Sequence, residues 1–361
     1  MTILIFPAGM PRAIGFLGDC LKRNTKVIGA SSLLHDASRE LYPDWAFLPY
    51  VNDPHFADAL VETIAKFGID KIYSANPVVW RVLSTKLPKL APKVELLGES
   101  PAVEMLASYR SSKQVATLLW KHRDFLALSS PAHERMREDE FAALVRHADS
   151  IPGMCDHQKL LALAEIFRTA PNGDVVEIGS WWGKSAFILA HLARRYRIGN
   201  LLCVDPWSDM HLVQNDTLVD SSSAEISAEE AHSLFVTNLL PYSNGNINFL
   251  RMPSVAGAAS YRKKKNITTV AFGETQYAWH VSVLHIDGNH SLSAVEEDIK
   301  AWSGLVIDGG WIIFDDYKWA YGDGPKTVAD AFILRNMQNV DCAFFTGGAL
   351  FVRMYGLDRN V

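Results

Sequence analysis

The chain has 361 residues, of which 48% are hydrophobic and 21% are charged, and its formal net charge is −5. This length favours two domains of ordinary size, and the hydrophobic fraction is sufficient for two buried cores. The mildly acidic charge argues against nucleic acid or an anionic membrane as a partner.

The four cysteines are scattered and form no C-x-x-C pair. This usage fits a reducing compartment and argues against a thiolate metal site. The N-terminus lacks a basic region before its first apolar run, and no segment is apolar over the length that a membrane-spanning helix needs. These features predict a cytoplasmic protein.

Short apolar strands alternate with amphipathic helices over the first hundred residues. The predicted strands are residues 2–7, 26–30, 46–50 and 69–74, and the predicted helices are residues 13–23 and 54–68. This alternation predicts a small parallel α/β sheet. The element order and the turn Pro7-Ala-Gly-Met-Pro-Arg resemble the N-terminal domain that precedes the catalytic part of ATP-grasp enzymes, but no ATP-grasp catalytic region follows. We therefore favour a Rossmann-like accessory domain over residues 1–100 above an independent nucleotide site.

Residues 101–150 are rich in charge and have a helical pattern, which Pro101 and Pro131 are expected to break. We interpret them as a helical linker, which leaves residues 151–361 as the second domain. Asp156 is placed to cap a helix over residues 158–169, where apolar residues recur at helical spacing.

The stretch from Asp174 to Ser185 predicts a strand, a turn with Gly179 and Gly183, and a helix. Such a turn lays a ligand's polar groups against backbone N–H groups at a helix start, and glycine permits both the close approach and the dihedral angles. A dinucleotide site would need G-x-G-x-x-G, and a P-loop would need one more residue before Gly-Lys-Ser. The remaining pattern, E-x-G-x-x-x-G from Glu177, resembles motif I of the class I S-adenosylmethionine (SAM) methyltransferases. In that family the loop lies under the methionine part of SAM, and the acid helps to hold its amino group. An ordinary strand–helix turn is the alternative.

An acid ends the next predicted strand, residues 200–204. Asp205 stands about 20 residues beyond the glycine turn, where a carboxylate suits a ribose diol, although it could simply cap a turn. Trp207 is a candidate to flank the adenine, with a core or rim position as the alternative. Residues 208–223 are a candidate lid or loop, residues 224–240 a helix, and residues 246–251 a strand that Ser254 follows.

Two further predicted strands end in acids. Residues 280–286 lead into Asp287-Gly-Asn-His290, and residues 309–314 lead into Asp315 and Asp316. As neighbours in a doubly wound parallel sheet, their carboxyl ends would open on one crevice. Three carboxylates in one place repel unless a cation lies among them, and oxygen ligands suit Mg²⁺, or Mn²⁺ or Ca²⁺. The alternative is that each acid only caps a helix or loop.

Four motifs occur in one order: Val-Glu-Ile-Gly-Ser-x-x-Gly-Lys-Ser, Val-Asp-Pro-Trp, Ile-Asp-Gly-x-His and Gly-Gly-x-x-x-x-Asp-Asp-Tyr. Over about residues 153–352 they resemble the metal-dependent class I methyltransferases of the macrocin O-methyltransferase and cephalosporin hydroxylase type. The resemblance implies a Rossmann-like methyltransferase sheet with a cation held by Asp287, Asp315 and Asp316, and with Asp287 or His290 as catalytic base. It also implies a SAM site, for which the candidates are Glu177, Gly179, Ser180, Gly183, Asp205, Trp207 and Ser254.

The end of the chain predicts a closing antiparallel hairpin, residues 341–346 with 349–354, after a helix from Gly324. A second hairpin is expected between residues 267–272 and 279–286, around Gly273. The function predicted is SAM-dependent O-methylation of a hydroxyl on a sugar or specialised metabolite, assisted by Mg²⁺ or another divalent cation. A P-loop-like NTPase and a non-catalytic protein with the SAM fold are the alternatives. A small-molecule acceptor is the expected partner, and a homo-oligomer stays open.

Overall fold

The computed structural model describes residues 1–123, 132–212 and 226–356, and the chain divides into two compact units, residues 1–110 and residues 111–361. Most of the candidate lid at residues 208–223, and Pro131, lie outside the described residues. Among the described residues, no helix combines the length and the apolar character needed to cross a membrane.

The first unit has a parallel sheet of five strands in the order β3-β2-β1-β4-β5. Its strands are β1 (Thr2–Ile5), β2 (Lys26–Ser31), β3 (Asp44–Phe47), β4 (Lys71–Tyr73) and β5 (Glu95–Leu96). Its helices are α1 (Pro11–Lys22), α2 (Phe56–Phe67) and α3 (Pro77–Leu90). Apolar residues fill one cluster on each face of this sheet, as a doubly wound fold requires. The predicted α/β sheet is therefore present, with α3 and β5 as additions.

Two helices occupy the stretch that we predicted as a linker. The boundary between the units falls within α4 (Pro101–Trp120), and α5 (Glu138–Asp149) follows. Pro101 begins α4 instead of breaking it, since proline's missing N–H has no helical partner at that position. Phe141 and Val145 of α5 are fully buried in the core of the second unit.

The second unit has a sheet of seven strands in the order β13-β14-β12-β11-β6-β7-β8. The strands from β12 to β8 are parallel, and β14 and β13 close the sheet as the predicted antiparallel hairpin. The strands are β6 (Asp174–Ile178), β7 (Leu201–Val204), β8 (Ile247–Leu250), β11 (Val281–Ile286), β12 (Val306–Phe314), β13 (Val340–Thr346) and β14 (Ala349–Met354). This mostly parallel sheet with an antiparallel end confirms the predicted α/β fold class.

Helices cover both faces of this sheet. Successive strand residues point to opposite faces, and both sets of residues are apolar, so each face needs a covering layer. Val175 and Val283 face one core cluster, with α5, α6 (His157–Ile166), α7 (Lys184–Tyr196) and α9 (Ala228–Leu239). Val176 and Leu284 face the other cluster, with α10 (Ser254–Tyr261), α11 (Leu292–Trp302) and α12 (Gly324–Arg335). A short helix, α8 (Asp209–Leu212), follows β7.

The hairpin predicted around Gly273 was wrong in its second strand. β9 (Asn266–Thr269) pairs with β10 (Gly273–Gln276), whereas β11 is a central strand between β6 and β12. The side-chain amide of Asn248 donates to the carbonyl groups of Ile267 and Gly273, at 2.8 and 2.9 Å, and so ties this short ribbon to β8. All six residues of β11 are buried, which an edge hairpin could not provide.

Candidate active site

The candidate residues meet at the carboxyl edge of the seven-stranded sheet because four parallel strands end there. Glu177 of β6 and His285 of β11 are register partners, so their side chains lie beside each other on one face. Asp287 lies two residues beyond His285, and Asp315 lies two residues beyond Ile313, which is itself paired with His285. The period of two therefore brings Glu177, His285, Asp287 and Asp315 to the same face and the same edge.

The glycine turn after β6 packs directly on the end of β11. Gly179 has φ +80°, and a Cβ at this position would lie 2.1 Å from the carbonyl oxygen of Asp287. Gly183 has φ +89° and precedes the first residue of α7. Both positions need glycine, Gly179 for its dihedral angle and its contact, and Gly183 for its dihedral angle. The turn and Asp287 thus form one continuous surface.

The carboxylate of Asp205 holds this turn from β7. Its Oδ2 accepts hydrogen bonds from the backbone N–H groups of Ser180 (2.9 Å) and Trp181 (3.1 Å), and its Oδ1 accepts from that of Trp207 (2.7 Å). Burial raises the pKa of Asp205 above its ordinary value, although these three hydrogen bonds act in the opposite direction. Asp205 thus lies at the end of the strand next to the turn, and its ribose contact stays a prediction.

Glu177 lies beneath the turn and is fully buried. Its Oε2 accepts a hydrogen bond from the hydroxyl of Ser180 at 2.6 Å, and its Oε1 lies 3.1 Å from Nδ1 of His285. Both carboxylate oxygens thus have partners inside the protein. In this structure Glu177 and Ser180 support the turn from within.

The side chains of Trp207 and Ser254 both form hydrogen bonds within the protein. The Trp207 ring is 1% exposed, donates from Nε1 to the carbonyl of Trp181 at 2.9 Å, and packs against Phe235. Trp207 therefore occupies the core position that we considered as the alternative to an adenine contact. Ser254 begins α10 on the opposite face of the sheet, where its hydroxyl accepts a hydrogen bond from Nε1 of Trp302 at 3.0 Å.

Two groups of metal-ligating side chains lie at this edge, and they share Asp287. We call His285, Asp287 and Asp315 the inner group, and Asp287, His290 and Asp316 the outer group. Within each group, one ligand atom from every residue lies within 4.8 Å of the others. Asp315 and Asp316 thus belong to different groups, whereas the sequence prediction placed them together.

The separation of the two adjacent aspartates has a backbone cause. Asp316 has φ +49°, a left-handed conformation that few non-glycine residues adopt. Its Oδ2 lies 2.8 Å from Nε2 of His290, and its side chain is 35% exposed. Asp315 is 8% exposed, and its Oδ1 accepts a hydrogen bond from the backbone N–H of Asp316 at 3.1 Å.

A lysine ammonium lies within the inner group. Lys159 of α6 is 2% exposed, and its Nζ is in direct contact with Oδ2 of Asp315. The same oxygen lies 3.4 Å from Nε2 of His285. Burial would raise the pKa of Asp315, but the Lys159 ammonium and then His285 outweigh it and hold that pKa well below its usual range. Burial also lowers the pKa of His285, yet its two carboxylate partners, Asp315 and Glu177, raise it overall.

Asp287 has the opposite shift, because it has no such cation in contact. Burial raises the pKa of Asp287 well above its ordinary value, and the neighbouring Asp315 carboxylate raises it further. The outer group offers two partly exposed carboxylates, which suit Mg²⁺ or Mn²⁺, and a partly exposed imidazole lies beside them.

An aromatic loop follows the paired acids. The ring of Trp319 lies 4.4 Å from the ring of His290, between centroids, and the ring of Tyr321 lies 5.4 Å from that of Trp319. Trp319 is half-buried, and Tyr321 is 53% exposed. The outer group therefore has an apolar wall beside it.

Residues 176–317 match a family model described as a methyltransferase domain. The second unit therefore contains a methyltransferase domain over the matched residues. Similar solved structures include the O-methyltransferase NovP (15% identity, TM-score 0.39, covering 54% of this chain and 79% of NovP). Others are the TDP-rhamnose 3'-O-methyltransferase CalS11 (12% identity, TM-score 0.36, covering 71% and 96%) and the mycinamycin methyltransferase MycE (14%, 0.32, 53% and 47%). The comparison with curated proteins gave no match.

Lys184 has no phosphate-binding geometry in this methyltransferase domain. It is the first residue of α7, and its Nζ lies 3.8 Å from a carboxylate oxygen of Asp149 in α5. A P-loop lysine would instead reach back over the turn toward a phosphate. The methyltransferase match confirms the interpretation that the short loop favoured.

Sequence reasoning missed two residues of the methyltransferase site, His285 and Lys159. His285 had a signal, since it is a polar residue in an apolar strand and lies two positions before Asp287, on the same face. The sequence signal of Lys159 was weaker: it is a lysine in a predicted helix whose other residues are mostly apolar. Its contact with a carboxylate 156 positions away could not be read from that pattern.

Proposed function

We propose that this methyltransferase domain transfers the methyl group of SAM to a hydroxyl group of a small-molecule acceptor, a sugar or specialised metabolite, with assistance from a divalent cation. The observation that carries the proposal is the packing of Gly179 on Asp287. It joins the donor-binding turn to the carboxylates of the next strand, so that a donor on the turn would face an acceptor beside those carboxylates.

For the donor, we propose that SAM lies against the turn from Gly179 to Gly183. Asp205 supports a contact to one ribose hydroxyl, because its Oδ1 accepts only one backbone hydrogen bond and keeps a lone pair, whereas its Oδ2 already accepts two. Glu177 acts indirectly here, through Ser180, since its oxygens face inward. We do not assign Trp207 or Ser254 a direct contact.

For the cation, we propose that the carboxylates of Asp287 and Asp316 are ligands, with water and acceptor oxygens completing the shell. Mg²⁺ in enzymes is commonly held by one or two carboxylates together with substrate oxygens. When bound, such an ion would lower the pKa of an acceptor hydroxyl and fix its direction.

For the proton, we propose His290 as the general base. Its Nε2 lies 2.8 Å from Oδ2 of Asp316, and this carboxylate would orient the ring and stabilise the imidazolium that forms. In the transfer, the hydroxyl oxygen forms a bond to the methyl carbon, the bond from that carbon to sulfur breaks, and the hydroxyl proton passes to His290. The products are a methyl ether and S-adenosylhomocysteine (SAH).

For the acceptor, the aromatic loop supports a ring-shaped substrate. A hydroxyl held beside His290 would bring the carbon atoms attached to it close to Trp319. Aromatic faces bury the C–H groups of sugar rings and the apolar parts of metabolites. Tyr321, at the exposed end of the wall, would contact the parts of the acceptor farther from the reacting oxygen.

Methyl transfer from SAM to a panel of sugars and glycosylated natural products, with Mg²⁺ or with excess chelator, tests this proposal. We expect turnover that chelator removes, and we expect Asp316→Asn to lower turnover by about 100-fold or more while SAH affinity stays unchanged. Asp139→Asn, at an exposed position in the same unit, is the matched control and should keep wild-type turnover. Equal turnover with and without chelator would contradict metal assistance, and no transfer to any acceptor would favour a non-catalytic role.

A further inference from the structure

The first turn of α6 delivers a buried positive charge to the candidate active site. Asp156 caps this helix by accepting from the backbone N–H groups of Gln158 (2.6 Å) and Lys159 (3.1 Å). The turn residue Gly347 of the closing hairpin packs against the backbone of Lys159. The cap and the hairpin therefore fix where the Lys159 side chain enters the edge of the sheet.

The carboxylate of Asp315 is occupied by partners of the protein itself. One oxygen contacts the Lys159 ammonium and lies 3.4 Å from His285, and the other accepts from the backbone N–H of Asp316. Lys159 and Asp315 are 2% and 8% exposed, so water does not screen this pair strongly. A divalent ion bound to the same carboxylate would have to lie beside an ammonium that repels it.

Asp316 is arranged differently, although it is the next residue. Its left-handed backbone turns its side chain to His290 and to the open side of the site, where it is 35% exposed. Asp287 lies between the two groups and is shared by both. The chain thus offers one paired, buried carboxylate and two that are accessible.

We propose that Lys159 is a built-in cation that keeps Asp315 out of the metal's ligand set, and that Asp287 and Asp316 alone supply the carboxylates for the divalent ion. This inference rests on the metal assistance proposed above. In this arrangement Asp315 is a positioning residue, which ties the end of β12 to Lys159 and to His285 and does not touch the ion.

Binding of Mn²⁺ alone, measured by calorimetry and electron paramagnetic resonance, separates the two aspartates. Asp316→Asn should lower the affinity for Mn²⁺ by about 100-fold or more, and Asp315→Asn by about tenfold at most, the low end of the effect of an outer partner. Both replacements keep the shape of the side chain, and thermal unfolding checks that both variants are folded. An equal loss of affinity in the two variants would overturn the inference while leaving metal assistance intact.

Removal of the lysine gives a second test with an opposite sign. Lys159→Met should raise the affinity for Mn²⁺, because a repelling charge is removed and Asp315 is released to the ion. In that background, Asp315→Asn should now cost as much affinity as Asp316→Asn does in the wild type. Lys113→Met, which removes an exposed ion pair of the same unit, is the control and should have no effect. If Lys159→Met fails to fold, the Mn²⁺ affinities of Asp315→Asn and Asp316→Asn decide whether Asp315 is a ligand. If the wild type binds no Mn²⁺, both this inference and the proposed metal assistance are wrong.

Discussion

Replacing Gly179 by alanine should disrupt the junction between the donor turn and the strand that carries Asp287. A Cβ would lie 2.1 Å from the carbonyl oxygen of Asp287, at least 1.3 Å short of the 3.4 Å at which ordinary contacts begin. The backbone would have to move to relieve this overlap, at a cost of about 1–3 kcal/mol or more. The left-handed dihedral angle adds about 1–2 kcal/mol for a residue with a Cβ. We expect the free energy of unfolding to fall by about 2–5 kcal/mol.

Gly348 provides a control with the same backbone angle. It also has φ +80°, but a Cβ there would meet no heavy atom within 4 Å. Gly348→Ala should therefore cost only the dihedral term, about 1–2 kcal/mol. Urea unfolding of both variants measures the difference, and SAH titration should show weaker binding only for Gly179→Ala. If Gly179→Ala is no less stable than Gly348→Ala and binds SAH normally, the turn does not pack on Asp287 as described.

Three further predictions concern side chains around the same edge. Burial raises the pKa of Asp298 to about 6. The folded protein therefore favours the protonated carboxyl group, and the stability that this group contributes is complete below its unfolded pKa near 4 and is lost as the pH rises through 6. Asp298→Asn should accordingly be more stable than the wild type at pH 8, by at most about 3 kcal/mol, and equal to it at pH 4, as urea unfolding at the two pH values will show. Trp319→Ala should raise the KM for the acceptor about tenfold without changing SAH affinity, and Trp319→Phe should restore most of the loss; equal KM values would remove the aromatic wall from acceptor binding. Lys159→Met should lower the free energy of unfolding by about 3–5 kcal/mol, because it leaves Asp315 buried without its cation. The double variant Lys159→Met, Asp315→Leu should recover most of that loss. Unchanged stability of the single variant would contradict a buried ion pair.

The sheet of the second unit could be predicted because each of its strands is marked by residues next to one another in the sequence. Apolar runs ending in Gly179, Asp205, Asp287 and Asp315 mark strands whose carboxyl ends share one edge in a parallel fold. The period of two then determines which of these side chains share a face. The order of four motifs was enough to predict a methyltransferase domain, which the family match confirms.

The division of the acids could not be predicted, because it depends on features without a local signal. The left-handed angle of Asp316 turns two adjacent carboxylates apart, and an aspartate in that conformation looks like any other in the sequence. Lys159 reaches Asp315 from a helix 156 positions earlier. Trp207 is in the core only because Phe235 and Phe249 of two other elements surround it.

The second hairpin failed for a related reason. The pattern of residues 266–286 contains three short β segments, and neighbouring segments can pair in more than one way. In the structure the amide of Asn248 binds the ribbon of β9 and β10, and β11 pairs in the central sheet. The sequence indicated β9 and β11, but it missed β10, which begins at the predicted turn residue Gly273, and it did not give the strand partners.

A crystal structure of the protein with SAH and Mn²⁺, with the anomalous scattering of manganese recorded, tests most directly whether donor and cation meet at this edge. We predict SAH along the turn from Gly179 to Gly183, and a manganese peak between Asp287 and Asp316 that faces the SAH sulfur. A manganese peak elsewhere, or SAH bound away from the glycine turn, would contradict the proposed methyl transfer at this site.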